Sequence, residues 1–144
     1  MKKFMAEDDL FSGLSELLGE TVRTRHDLVE LSFRGAHPRA VKSLTEASSG
    51  VIEVSWIISP RTLSHRLSKG QNLTPTETGN VIRFAKILLH AFQVFGGHEK
   101  ALGWLNRVHP ALHPQLSTLE LCRTEEGALL VAEWLVAMDH GFAT

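Results

Sequence analysis

The sequence contains a single cysteine, Cys122, among its 144 residues. One cysteine cannot form an internal disulfide or a four-cysteine zinc site. The chain has no tyrosine, and no apolar run approaches the roughly 20 residues that a membrane-spanning helix needs. The N-terminal stretch from Met1 to Met5 turns acidic at Glu7 before any apolar run develops, unlike a secretory signal peptide. These absences predict a cytoplasmic protein.

Catalytic signatures are missing as well. There is no G-x-S-x-G, no P-loop and no G-x-G-x-x-G. Cys122 lies in an apolar run, which favours a buried structural thiol, and Glu125 and Glu126 lie at a predicted helix start, where acids are expected. His109 and His113 each precede a proline, which removes them from a shared helical face. We therefore expect no enzymatic activity, no metal and no cofactor.

Charge is distributed unevenly, although the net charge is only −1. Residues 1–20 carry −3, residues 21–90 carry +5 and residues 91–144 carry −3. The middle region is thus the part of the chain whose charge suits a polyanion such as DNA. Chance scatter of charge in a small protein is the alternative.

Apolar spacing predicts an all-α chain. Helices are expected at about 6–18, 21–35, after Pro38, and at about 59–70, 74–96, 99–107, 118–122 and 124–141. Ser59-Pro60 and the capping box of Thr74 and Glu77 are strong helix starts. Residues 48–58 are rich in β-branched side chains and fit a buried strand or a helix. We interpret them as helical because the helix that follows needs a compact partner.

Residues 50–70 then form a candidate helix-turn-helix, whose second helix would enter the major groove. With Leu63 and Leu67 pointing inward, a polar face points outward. Its arginine suits guanine, and its lysine and hydroxyls suit phosphates. An ordinary solvated basic helix is the alternative. The predicted DNA-binding residues are Arg61, Thr62, Ser64, His65, Arg66 and Lys69.

The first predicted helix has an apolar face wide enough to need cover, and a two-fold operator calls for a two-fold protein. We expect a homodimer to which this helix contributes. The residues concerned are Leu10, Phe11, Leu14, Leu17 and Leu18.

Several stretches, in order, resemble the Xre/MbcA/ParS antitoxin family across about residues 22–142. The residues that resemble the family's DNA-binding half are Ile58–Leu63, Arg66 and Leu73–Glu77. The residues that resemble the family's toxin-binding half are Val94–Gly96, Ala101, Trp104-Leu105, Pro110–Leu112, Thr124–Ala128, Val131 and His140-Gly141. The chain departs from the family pattern at His65, at His113–Leu116 and at Thr118, which affects local loop shape.

The resemblance implies a Cro-like helix-turn-helix half followed by a small helical toxin-binding half. The charge changes sign near residue 90, inside the long predicted helix, so we place a soft boundary there. We expect an N-terminal helix that could dimerise (1–20), a DNA-binding region (21–90) and a toxin-binding region (91–144). The resemblance also implies an antitoxin of a type II toxin–antitoxin system. Such a protein inhibits a RES-domain toxin, which degrades NAD, by covering the toxin's active site, and it represses its own operon.

The C-terminal segment is acidic and would suit the basic pocket of an NAD-binding toxin, with Phe142 as an apolar anchor. Alternatively, the toxin is held by the helix faces around the two C-terminal tryptophans. The predicted toxin-binding residues are Trp104, Glu133, Trp134, His140, Gly141, Phe142 and Thr144. The competing hypothesis for the whole chain is a stand-alone transcription regulator whose C-terminal half dimerises.

Overall fold

The computed structural model describes residues 7–141, and within that range the protein is all-helical, which confirms the predicted fold class. An isolated antiparallel bridge joins Val108 to Ser117. No helix in this range has the length and hydropathy needed to cross a membrane. The α-helices are α1 (Glu7–Leu18), α2 (Arg25–Arg34), α3 (Arg39–Ala47), α4 (Pro60–Lys69), α5 (Pro75–Phe95), α6 (His98–Leu105), α7 (Thr118–Leu121) and α8 (Glu125–Asp139).

The chain divides into two compact units. One unit comprises Phe11–Ala85, and the other comprises the residues from Lys86 onward together with the beginning of α1, up to Leu10. Helices α1 and α5 therefore contribute residues to both units. The sequence had placed a soft boundary near residue 90, inside α5.

In the Phe11–Ala85 unit, local capping fixes where helices begin. Thr24 and Asp27 form a capping box at α2, and Ser59 Oγ accepts a hydrogen bond from the Thr62 N–H at α4. The predicted capping box at α5 is also present, with Thr74 and Glu77 each bonding the other's backbone N–H. Each bond satisfies a backbone group that the first helical turn leaves without a partner. The predicted starts of α4 and α5 are confirmed.

The link between α2 and α3 is fastened to α5. The buried hydroxyl of Thr78 accepts a hydrogen bond from the Ala36 N–H at 3.0 Å, and the Leu73 N–H donates to the Ala36 carbonyl at 2.8 Å. Gly35 sits at φ +91°, and a Cβ there would lie 2.1 Å from the Leu73 carbonyl oxygen. Only glycine fits such a position without displacing the backbone.

The helix predicted for residues 48–58 is wrong. The segment contains a single 3-10 turn, Val54–Trp56, which packs against α3. The chain leaves the helical path at Ser49 and Gly50, which have φ values of +53° and +81°. Ser48 Oγ then accepts the Ile52 N–H, so a side chain replaces a helical carbonyl as acceptor. The first helix of the helix-turn-helix placed at 50–70 is therefore absent, and α3 is the α-helix that precedes α4.

The second unit buries an apolar core among its short helices, with α7 packed against both α6 and α8. Ser117 and Glu120 form a capping box at α7, and Thr124 caps α8 as predicted. Cys122 is fully buried, in agreement with a structural thiol. The deepest apolar side chains of the short helices are Ala101, Leu105, Leu119, Val131 and Leu135.

The apolar face of α1 is covered by the chain itself. Phe11, Leu14 and Leu18 are buried, and Leu10 and Leu17 are half-buried. The reason for expecting this helix to dimerise, an apolar face without cover, therefore does not hold for the three buried residues. The homodimer itself stays a prediction.

Candidate functional site

The outward surface of α4 is the candidate DNA-contacting face. Leu63 is buried as predicted, whereas Leu67 is only half-buried. Helical spacing places the exposed residues on the side opposite Leu63. The α4 face consists of Arg61, Ser64, His65, Ser68 and Lys69, all exposed.

Two of the predicted DNA-binding residues are engaged within the protein. Arg66 donates from Nε and Nη2 to the two carboxylate oxygens of Glu77, at 2.9 and 3.1 Å, and both side chains are largely buried. Thr62 Oγ1 accepts a hydrogen bond from Ser59 Oγ at 2.7 Å. The structure thus assigns Arg66 to a bidentate bond between α4 and α5, and it does not support Arg66 as a reader of DNA.

The carboxylate of Glu77 is held ionised by these contacts. Its partial burial opposes ionisation, but the hydrogen bonds from Arg66 and from Thr74 outweigh that effect and lower the pKa of Glu77. A charge-assisted, bidentate pair of this kind fixes geometry as well as contributing energy. The exposed α4 face therefore belongs to a helix that the Arg66–Glu77 pair fixes to α5.

The outward surface of α8 is the candidate partner-binding face of the second unit. Three large apolar side chains point to solvent there, at 54%, 37% and 39% exposure for Leu129, Leu130 and Val136. Exposed Glu133 lies between them, one turn after Leu129 and one turn before Val136. We call Leu129, Leu130, Glu133 and Val136 the α8 row. An apolar row with an embedded carboxylate is typical of a helix that docks onto another protein.

The two tryptophans proposed for toxin binding have different surroundings. Trp104 is 7% exposed and packs against the rings of Phe95 and His109, with centroids 5.6 and 5.1 Å away. His109 Nε2 also lies 3.0 Å from the Trp104 carbonyl. Trp104 is therefore a core residue that offers little contact surface. Trp134 is half-buried.

The remaining predicted toxin-binding residues are Glu133 within α8 and four residues that follow α8 in the sequence. His140 and Gly141 are exposed just after α8, and Glu133 is exposed within the α8 row. Phe142 and Thr144 lie outside the described residues. Glu133 therefore lies beside the apolar side chains of the α8 row. A role of the C-terminal tail in toxin binding stays a prediction.

His90 of α5 is a half-buried histidine near the end of α8. Its burial lowers its pKa below the ordinary value, and the nearby Asp139 carboxylate partly offsets this effect. His90 is therefore neutral at pH 7 and adds no positive charge to this unit. Within residues 7–141, no group of three or more His, Cys, Asp or Glu side chains is arranged to hold a metal ion.

Sequence reasoning found only part of the α8 row. It named Glu133 as a binding residue, whereas Leu129, Leu130 and Val136 were not named. The signal was present, because apolar residues occur on every side of α8, including the side of exposed Glu133, so that more than one side could be buried.

Comparison with known proteins gives a match for this same part of the chain. Residues 90–141 match the family model of the antitoxin Xre/MbcA/ParS C-terminal toxin-binding domain. The chain is also 32% identical to the Antitoxin Xre of Pseudomonas putida over 91 residues, which are 63% of this chain and 57% of that protein. The Antitoxin Xre of Yersinia enterocolitica is 32% identical over 85 residues, 58% of this chain and 57% of its own length.

The chain thus spans a little over half the length of these curated relatives, 57% of each. The family match includes all of α6, α7 and α8. It supports the resemblance to the antitoxin family that the sequence motifs indicated, and it falls on the unit that carries the α8 row.

Proposed function

We propose that this protein is the antitoxin of a toxin–antitoxin pair and that it binds its toxin through the α8 row. The observation that carries the proposal is the position of the row within residues 90–141, the segment that matches a toxin-binding domain. Burying solvent-exposed leucine and valine side chains is favourable, and the buried centre of a protein interface is more apolar than its rim. The protein acts by binding and has no catalytic role.

We further propose a RES-type, NAD-degrading toxin, inhibited by cover of its active site in the cytoplasm. Support comes from the family resemblance and from charge. Residues 91–144 carry six acids against three Lys and Arg, whereas a pocket for the NAD pyrophosphate must be basic. Glu133 would then face a cation on the toxin, with Leu129 and Val136 excluding water around the pair.

The test is binding to the product of the adjacent gene, measured with Glu133→Lys and Leu129→Ser variants. A charge reversal or a polar group at the centre of an interface costs about 2 kcal/mol or more, which lowers affinity on the order of 30-fold. Cellular NAD should fall when these variants are co-expressed with the toxin. Glu46→Lys, an exposed charge reversal on α3, is the matched control and should bind as the wild type does.

Two results would contradict parts of this proposal. Unchanged affinity in both α8 variants would exclude the row as the binding surface. Loss of toxin binding without any change in cellular NAD would agree with an antitoxin function but would exclude an NAD-degrading toxin.

We also propose that the protein binds operator DNA through the α4 face and represses its own operon. The supporting observations are the exposed Arg61 and Lys69 on an anchored helix, and the +5 charge of residues 21–90. In the competing hypothesis, a stand-alone regulator whose C-terminal half dimerises, the wild-type protein itself would not bind the product of the adjacent gene.

A further inference from the structure

The loop between α6 and α7, residues 106–117, carries apolar side chains on its outer surface. Val108 and Leu116 are 38% and 39% exposed. The other exposed side chains between these two are small, apolar or an amide, and they are Pro110, Ala111, Pro114 and Gln115. Surface loops are normally rich in polar residues, so an exposed apolar loop of this kind favours a place that a partner covers.

The tip of the α6–α7 loop is held in shape by the imidazole of His113. Its Nδ1 accepts hydrogen bonds from the N–H groups of Gln115 and Leu116, at 3.0 and 2.9 Å. A side chain that accepts backbone N–H groups a few residues ahead builds a turn, as asparagine and aspartate commonly do. The backbone that carries Leu116 is therefore fixed before any partner binds.

The base of the loop is closed by the backbone. The Thr118 N–H donates to the Arg107 carbonyl at 3.1 Å, beside the bridge between Val108 and Ser117. Ser117 also caps α7, and α7 packs against both α6 and α8. The loop and the α8 row therefore belong to one compact unit, and both lie within residues 90–141.

The α8 row is too small to form a stable interface by itself. From Leu129 to Val136 it covers about 12 Å of helix, and one side of such a helix buries well below the roughly 800 Å² per partner of a specific interface. A second contact surface on the same unit is needed, and the α6–α7 loop offers exposed apolar area there.

We propose that the toxin also binds the α6–α7 loop, with Val108 and Leu116 packed against an apolar surface of the toxin. No acidic, lysine or arginine side chain lies between these two residues, so this part of the interface is apolar, while Glu133 of the α8 row supplies the charged contact. A loop that is already ordered loses less conformational entropy on binding. This inference rests on the proposed antitoxin function and extends its binding surface.

The test is the affinity of the purified full chain for the product of the adjacent gene, measured by isothermal titration calorimetry. Leu116→Ser should weaken binding about tenfold, because apolar area that the interface buries is lost. Val29→Ser, which removes an exposed valine from α2 in the other unit, is the matched control and should bind as the wild type does. Because both side chains are exposed, both variants should keep the wild-type circular dichroism and melting temperature.

His113 acts as a positioning residue, since its ring holds the backbone of Leu116 from within the loop. His113→Ala removes the acceptor of the two N–H groups and should weaken toxin binding. His113→Asn keeps a side-chain acceptor within reach of the same N–H groups and should restore most of the affinity. Equal affinities of the alanine and asparagine variants would overturn this role.

The proposal is overturned if Leu116→Ser binds the toxin as tightly as the wild type does while Leu129→Ser binds it more weakly, because the toxin would then contact the α8 row without the loop. It is also overturned if Leu116→Ser keeps its toxin affinity but changes the sedimentation of the chain, because the loop would then contact another copy. If the wild type itself does not bind the gene product, the proposed function fails and this inference fails with it.

Discussion

At the scale of single residues, Gly127 shows how closely α8 is packed at its start. A Cβ at this position would lie 1.9 Å from the carbonyl oxygen of Leu121 and 2.9 Å from Thr124 Oγ1. The Gly127 N–H donates to that same hydroxyl at 3.0 Å, which caps the helix. The first turn of α8 thus rests directly on the backbone at the end of α7, and any side chain would separate them.

We predict that Gly127→Ala destabilises the protein by about 1–3 kcal/mol, the usual cost of overpacking a filled site. Gly79→Ala, within α5, is the matched control, since nothing lies within 4 Å of its Cβ position. Alanine should stabilise that helix by about 0.5–1 kcal/mol because it loses less entropy on folding. Urea unfolding measures the free energy of unfolding of both variants. Changes of the same sign in the two variants would contradict this prediction.

At the scale of elements, the Arg66–Glu77 pair joins α4 to the start of α5. Its side chains are only 19% and 15% exposed, so we expect a contribution between that of a surface pair and a buried one, about 1–2 kcal/mol. Because the pKa of Glu77 is lowered in the folded state, the contribution is present above the unfolded pKa of about 4.3. It is lost as the pH falls through the folded value.

We therefore predict that Glu77→Gln lowers the free energy of unfolding at pH 7 and flattens its dependence on pH below about 4.3. Glu30→Gln is the control, because the His26–Glu30 pair is largely exposed and should contribute almost nothing. The measurement is the free energy of unfolding in denaturant at several pH values between neutral and acidic. A Glu77→Gln variant with the wild-type acid profile would assign the acid sensitivity to other carboxylates.

Helix ends were predictable from sequence, whereas the segment before α4 was not. Ser59, Thr74 and Thr124 cap their helices through hydrogen bonds to residues three positions ahead, which short spacing alone reveals. Residues 48–58 depend instead on distant contacts, as in the stacking of Trp56 on Phe84 and the bond from Asn80 to the Ile57 carbonyl. Periodicity carries no record of such contacts.

The two candidate surfaces also differ in how much of each could be predicted from the sequence. The α4 face was predicted because its basic residues lie opposite Leu63 and Leu67, of which Leu63 is buried and Leu67 half-buried. The engagement of Arg66 was not, since its carboxylate partner lies eleven residues away in the next helix. The apolar part of the α8 row was missed because periodicity cannot tell a side covered by the chain from one left for a partner.

At the scale of the whole molecule, positive charge is concentrated in residues 21–90. We predict that Arg61→Ala and Lys69→Ala weaken operator binding without unfolding the protein, because both side chains are exposed on α4. If Lys69 contacts a phosphate, its removal should reduce the slope of log affinity against log salt by about one.

The control is Lys100→Ala, which removes one exposed positive charge from the other unit and should leave operator binding and its salt dependence unchanged. Fluorescence anisotropy at several salt concentrations provides the measurement. Normal repression by both α4 variants would mean that another surface reads the operator.

The close approach at Gly127 also separates the residues that shape the fold from those proposed to bind a partner. The stretch Thr124–Ala128 is part of the resemblance to the antitoxin family, yet its glycine is required by the close packing of α8 on the end of α7. The side chains proposed to choose a toxin, such as Leu129 and Glu133, follow in the next turns and are exposed, so the fold restrains them little. Substitutions at Leu129 and Glu133 are therefore expected to change the partner surface while the joint between α7 and α8 keeps its shape.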